Sequence, residues 1–260
     1  MERKFFLMGI LNLTPNSFSD GNLYFNKDFA LKHFEKLERS GANIIDIGAE
    51  STAPGQELIT ATEEWTRLKL IFESNAISSF KTLGGLISID TRKAEIAHKA
   101  LTLGAEIIND VSALSDPEML EVLKEFPESK IVIMHNYGIP PKKTFKETNF
   151  NIIAELEAFF KTKINILEKS NINKNRIILD PGLGFDKNTQ ENLIIINNLI
   201  SLKQAFNLPI LIGLSRKRFV KDINNLLNNI DIDKTSAVLN AISILNGADI
   251  IRTHCLEDFK

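Results

Sequence analysis

The chain has 260 residues, 43% of them hydrophobic and 25% charged, a composition that buries a sizeable core and excludes a disordered or fibrous protein. Thirty-one basic against 33 acidic side chains leave a net charge of -2, so no global field draws it onto nucleic acid or an anionic membrane. The single cysteine, Cys255, excludes an internal disulfide framework and fits a reducing cytoplasm.

The first apolar run, FFLMGILNL, is far shorter than the ~20 residues that cross a bilayer and reads as a strand rather than a signal. A loop, TPNSFSDGN, follows it, then a helical stripe of Phe29, His33, Phe34 and Leu37 that stops at Gly41. The second strand, NIIDIGA, leads into the loop STAPGQE, and Thr62 with Glu63 and Glu64 opens the next helix with acids at its positive end. GLISID is the third strand, and Ile96, Ala97, Ala100 and Leu101 make a second stripe before Gly104. EIINDVS is the fourth, after which Asp116-Pro117 starts a helix with proline at its first position. KIVIMH, RIILDPG, PILIGLS and DIIRTH complete the strands, separated by helical segments over 149–170, 189–204 and 234–246.

Near-continuous apolar strands without strict alternation belong to a parallel sheet buried on both faces. Eight such strands with helices between them predict one domain over 1–260, an α/β (β/α)8 TIM barrel, with an open doubly wound sheet as the rival. Only CLEDFK follows the last strand, too little for a complete eighth helix.

In a barrel the carboxyl ends of all strands share one mouth. Here they end in Asn12, Glu50-Ser51-Thr52, Asp90-Thr91-Arg92, Asn109-Asp110, Met134-His135-Asn136, Asp180, Ser215-Arg216-Lys217 and Arg252-Thr253-His254. Several have bland readings: Asp116 as a helix cap, Asp46 as an internal structural acid, His135 as a core histidine, Lys217 as solvated charge. Polar punctuation at one end of every strand is harder to explain that way. Asp90, Asn109 and Asp180 offer acceptors that suit a flat, nitrogen-rich ring, with Lys217 able to meet a ring carbonyl. Arg252 and His254 offer donors and positive charge for phosphate oxygens, and Asn12 an oxygen for a hard cation. The two glycine-bearing loops, with Phe18 at the tip of the first, suit lids. No Walker or G-x-G-x-x-G motif and no zinc spacing occurs.

MGILNLTPNSFSDG, AESTAPG, IDTRK, IINDVSAL, MHNYG, DPGLGF, IGLSRK and RTH, in that order over nearly the whole chain, resemble the dihydropteroate synthase family. The resemblance implies a cytoplasmic enzyme that condenses 6-hydroxymethyl-7,8-dihydropterin diphosphate with 4-aminobenzoate, assisted by Mg2+, as a homodimer. It assigns Asp90, Asn109, Met134, Asp180, Phe185, Gly213, Lys217 and Arg252 to the pterin. It assigns Asn12 to the metal and, with His254, to the diphosphate, and Asp20 to steadying a developing cation. Phe18, Thr52, Pro54 and Ser215 fall around aminobenzoate and diphosphate. The chain departs from the family at Asp186, where glycine is usual, and at Ala53, where an arginine is usual and where either affinity for diphosphate or aminobenzoate is lower or Lys187 or Arg216 compensates. Two rivals remain: a methyltetrahydrofolate-binding corrinoid methyltransferase domain, which needs neither the SFSDG loop nor the terminal Arg-x-His, and a pterin-binding module that has lost catalysis, which Ala53 keeps open.

Overall fold

A computed structural model of the chain describes residues 5–14, 23–51, 58–139, 148, 151–228 and 231–259, with residues 23–26 described as backbone only. The strands are β1 (Phe6–Asn12), β2 (Ile44–Gly48), β3 (Leu86–Asp90), β4 (Ile107–Asp110), β5 (Lys130–Met134), β6 (Ile177–Asp180), β7 (Leu211–Ile212) and β8 (Ile250–Thr253). All pair in parallel, in the spatial order β6-β5-β4-β3-β2-β1-β8-β7. A parallel bridge between Leu179 and Ile210 joins the two outer strands, so the sheet closes into the expected barrel.

The described helices are α1 (Leu23–Arg39), α2 (Ala61–Phe72), α3 (Ala76–Thr82), α4 (Ala94–Thr102), α5 (Met119–Glu125), α6 (Ile152–Lys169), α7 (Thr189–Asn197), α8 (Leu199–Phe206), α9 (Arg218–Leu226) and α10 (Ile232–Leu245). Thr60 caps α2 by accepting from the Glu63 amide at 3.2 Å, Glu63 and Glu64 lie in its first turn as expected, and Glu64 is buried against Lys93. Two local expectations change, the helix start at Asp116-Pro117 and the single helix over 189–204. α5 starts only at Met119, so Pro117 lies in the turn before it and is not its first residue; Asp116 accepts from the amides of both Ala94 (2.8 Å) and Glu118 (3.1 Å), serving the first turn of α4 as well as its own turn. The segment over 189–204 is two helices, broken at Asn198. After β8 the chain makes a single 3-10 turn, Glu257–Phe259, whose Phe259 ring meets Phe5 with centroids 6.3 Å apart.

The main core lies between strands and helices, and a second, smaller cluster fills the barrel. That inner cluster is Met8, Ile44, Ile107, Val132, Ile178, Leu211 and Ile250, with Leu86 packed on it, one side chain from each strand. Because side chains alternate along a strand, this ring fixes which positions point inward on every strand. It plugs the amino-terminal half of the barrel.

Candidate functional site

Two residues beyond the apolar ring, the inward positions are Ile10, Asp46, Ser88, Asn109, Met134, Asp180, Gly213 and Arg252. Two further on come Asn12, Gly48, Asp90, Ser215 and His254. An apolar floor therefore gives way to a polar bowl at the carboxyl end of the strands. Asp90 lies beside Gly48 and Asn109, and Met134 beside Asp180.

Arg252 anchors one side. Its Nε donates to Asp46 Oδ2 at 2.6 Å and its Nη2 to Asp90 Oδ2 at 3.0 Å. Burial opposes the guanidinium charge, but Asp46 and Asp90 outweigh it and raise the Arg252 pKa. Of the five N–H donors of a guanidinium, these contacts use two. Asp46, fully buried, also accepts from Asn109 Nδ2 at 3.0 Å. Asp46 is internal, as expected of a structural acid, but it binds two residues of the bowl. The signal available was its parity, two residues before the Gly48 position that faces Asp90.

Burial drives Asp90 up to about 7, Arg252 pulling it down and Asp46 adding to the rise. A folded pKa above the unfolded value near ~4 gives stability that is present at low pH and lost as pH climbs through about 7. The melting temperature of the ligand-free wild type should therefore fall relative to that of Asp90→Asn between roughly pH 5 and pH 8. The raised carboxyls of Asp110 and Asp180 and the lowered His135, His254, Lys187 and Lys217 are common to both proteins and largely cancel in that difference. Equal slopes in both proteins would remove Asp90 as the cause.

On the opposite side, Asp180 Oδ1 accepts from the Gly182 amide at 2.7 Å. Burial raises its pKa, countered by Lys217, by that amide, by Lys187 and by Arg252, so Asp180 and Arg252 act on each other across the bowl. Lys217 donates to the Leu183 carbonyl at 2.6 Å and lies over the Phe185 ring, 4.5 Å from its centroid. Burial lowers its pKa to about 8, with Asp180 and Asp90 holding it up and Arg252 pushing it further down. It is not the solvated charge of the bland reading. Gly182 has φ +66, and an added Cβ would lie 1.9 Å from the His135 carbonyl, so glycine is required at this crossing. Asp186, in place of the family's glycine, also has positive φ at 50°, a region that aspartate tolerates better than most residues.

The expectation of a charged His254 is corrected. Burial, Arg252 and Arg216 lower its pKa to about 4, so it is neutral at pH 7. Its backbone N–H donates to Ser215 Oγ at 3.4 Å and its Nδ1 lies 3.2 Å from the same oxygen. The Ser215 hydroxyl can donate to Nδ1, and in that tautomer the ring proton sits on Nε2 as one neutral donor. Neither substitute cation proposed for Ala53 is uncommitted. Lys187 is buried, its ammonium on the carbonyls of Gly182 (2.9 Å), His135 (3.3 Å) and Phe185 (3.3 Å). Arg216 makes a two-pronged pair with Asp233, both contacts 2.8 Å.

The structure thus brings together Asn12, Asp90, Asn109, Met134, Asp180, Phe185, Gly213, Ser215, Lys217, Arg252 and His254. Phe18, Asp20, Thr52 and Pro54, with Ala53, lie outside the described residues. His135 is a core histidine: it packs edge-on against Tyr137 and Phe159, burial and Lys187 lowering its pKa to about 3.

A sequence model of the family "Pterin binding enzyme" matches residues 8–254. The chain is 36% identical to the dihydropteroate synthase of Neisseria meningitidis serogroup B, over 95% of this chain and 87% of that protein. It is 37% identical to that of Bacillus subtilis, over 97% of this chain and 84% of the relative. Among solved structures, the Xanthomonas albilineans dihydropteroate synthase with 4-aminobenzoic acid superposes with a TM-score of 0.86 at 31% identity, covering 98% of this chain and 89% of that one. The Anaplasma phagocytophilum dihydropteroate synthase with bound 6-hydroxymethylpterin-monophosphate gives 0.85 at 32% identity, covering 98% and 95%. With its fold, its bowl and its full-length likeness in agreement, the chain belongs to the dihydropteroate synthase family of pterin-binding enzymes.

Proposed function

We propose that this chain condenses 6-hydroxymethyl-7,8-dihydropterin diphosphate with 4-aminobenzoate, giving 7,8-dihydropteroate and diphosphate. The observation that carries the reading is the one bowl with acid and amide acceptors on Asp90, Asn109 and Asp180 and cationic donors on Arg252 and Lys217. The carbon–oxygen bond to diphosphate breaks, its electron pair leaving on oxygen. The amine lone pair forms the new carbon–nitrogen bond, and the amine proton leaves with the diphosphate.

The protein's work is to hold the ring and to neutralise the leaving group before the barrier is reached. Asp90, Asn109 and Asp180 accept from the ring's N–H edge, Lys217 donates to its carbonyl, and Met134, Phe185 and Gly213 form the walls. Arg252, held in place by two carboxylates, turns its remaining donors to the ring and the bridging oxygen. His254 and Asn12 meet the diphosphate, and Ser215 orients His254. By resemblance, Phe18, Thr52 and Pro54 enclose the second substrate and the diphosphate, and Asp20 steadies positive charge on the methylene.

Among the described residues no three His, Cys, Asp or Glu side chains gather to hold an ion. A lone amide oxygen, Asn12, fits Mg2+ that arrives on phosphate oxygens and keeps several waters, as that ion prefers. Bound there, it supplies Lewis-acid stabilisation of the departing oxygens.

His254→Ala should weaken the diphosphate substrate by about 2- to 10-fold, the worth of a neutral hydrogen bond, while leaving binding of 6-hydroxymethylpterin alone unchanged. A larger loss, growing below pH 6, would mean that His254 is charged in the complex.

No described helix is long and apolar enough to cross a membrane, and the free Cys255 suits a reducing cytoplasm as the place of reaction. A homodimer is supported by Val238 (60% exposed), Ile242 (37%) and Leu245 (78%), which make one apolar stripe on α10. Leu245→Glu should shift the sedimentation of such a dimer to that of a monomer.

The test of the function is diphosphate release by the purified chain with Mg2+, the pterin diphosphate and 4-aminobenzoate. Release that depends on both substrates supports it; tight pterin binding without release points to a binding module instead.

A further inference from the structure

Asp46 is assigned no part by the resemblance, yet it links three strands across the barrel interior. From β2 it reaches Asn109 on β4 and Arg252 on β8, both through Oδ2, at 3.0 and 2.6 Å. Its side chain is fully buried, and Asn109 is 2% exposed. Asn109 Oδ1 has no hydrogen-bond partner among the described residues, although it too is buried. A carboxylate can only accept, so the Asn109 amide must turn its NH2 to Asp46 and its oxygen away from it. A buried acceptor left without a donor is costly, and a ligand N–H in the bowl relieves it.

We propose that Asp46 is a positioning residue for ring recognition. It locks the Asn109 amide so that its oxygen is the atom offered to the ligand, and by the same carboxylate oxygen it sets the plane of Arg252. With Asp90 and Asp180 also accepting, the bowl then selects a ring edge made of N–H donors, the amino-amidine type. This rests on the reading that the pterin ring occupies the bowl.

The test is calorimetric titration of 6-hydroxymethylpterin into the wild type, Asp46→Ala and Asp46→Asn, with KM values for both substrates. Asp46→Ala frees the Asn109 amide to rotate and should raise the pterin Kd and the pterin diphosphate KM by about tenfold or more. The 4-aminobenzoate KM should stay within about twofold, since that substrate does not meet Asn109. Asp46→Asn keeps an oxygen able to accept both donors and should recover most of the affinity. In an Asn109→Ala background, Asp46→Ala should have a much smaller effect, because the two act as a unit.

Should Asp46→Ala fail to fold, Asp46→Thr, close in volume and unable to hold both donors, takes its place. A merely structural role would lower the melting temperature and the active fraction while leaving the Kd of the folded protein at the wild-type value. That result overturns the proposal. A wild type that does not bind 6-hydroxymethylpterin overturns the pterin reading itself, and this proposal with it.

Discussion

Arg252→Met should cost the protein both its stability and its turnover. The substitution leaves Asp46 and Asp90 in a buried site without the cation that both of them contact. Removing one partner of a buried ion pair costs about 3–5 kcal/mol, which at this chain length lowers the melting temperature by roughly 10 °C or more. Loss of a preorganised donor to developing charge takes about 100- to 1,000-fold from kcat in comparable sites. Arg252→Lys should be intermediate in stability and nearly as poor in catalysis, because an ammonium cannot reach Asp46, Asp90 and a ligand in one plane. Differential scanning fluorimetry and diphosphate release check the two effects separately. Wild-type turnover in a folded Arg252→Met protein would remove Arg252 from the site.

Asp180→Ala carries the second large effect. Its carboxylate faces Lys217, Lys187 and Arg252 and is the acceptor placed opposite the Arg252 side of the bowl. Losing a charge-assisted contact to the ring costs about 1.5–3 kcal/mol, or roughly 10- to 150-fold in pterin affinity. The Gly182 amide also loses its acceptor, so a modest loss of stability accompanies it. Titration of 6-hydroxymethylpterin reads the first directly. An unchanged Kd would deny Asp180 its role.

The barrel and its mouth are legible in the sequence because two short-range regularities suffice for them. Apolar runs mark strands buried on both faces, and alternation from Met8, Ile44 or Ile250 fixes what points inward. What was not legible depended on partners far away in the chain. Asp46 looks like any buried acid until Arg252, 206 positions on, is seen against it. The neutral state of His254 follows from burial, from Arg252 two residues before it and from Arg216, which no local pattern places beside it. Likewise, a cation count favours Lys187 and Arg216 as replacements for a missing arginine, whereas the fold has already spent both, one on carbonyls and one on Asp233.

The central claim is that one bound molecule is gripped at its ring by Asp180 and Asn109 and at its phosphate tail by Arg252 and His254. Competition binding tests it most directly: 6-hydroxymethylpterin and inorganic diphosphate, each alone, titrated against the intact pterin diphosphate with Mg2+ present. Each half should be displaced by the whole, Asp180→Ala weakening only the ring half and His254→Ala only the tail half. If either half binds undisturbed by the intact molecule, ring and tail do not share this bowl, and the account is wrong.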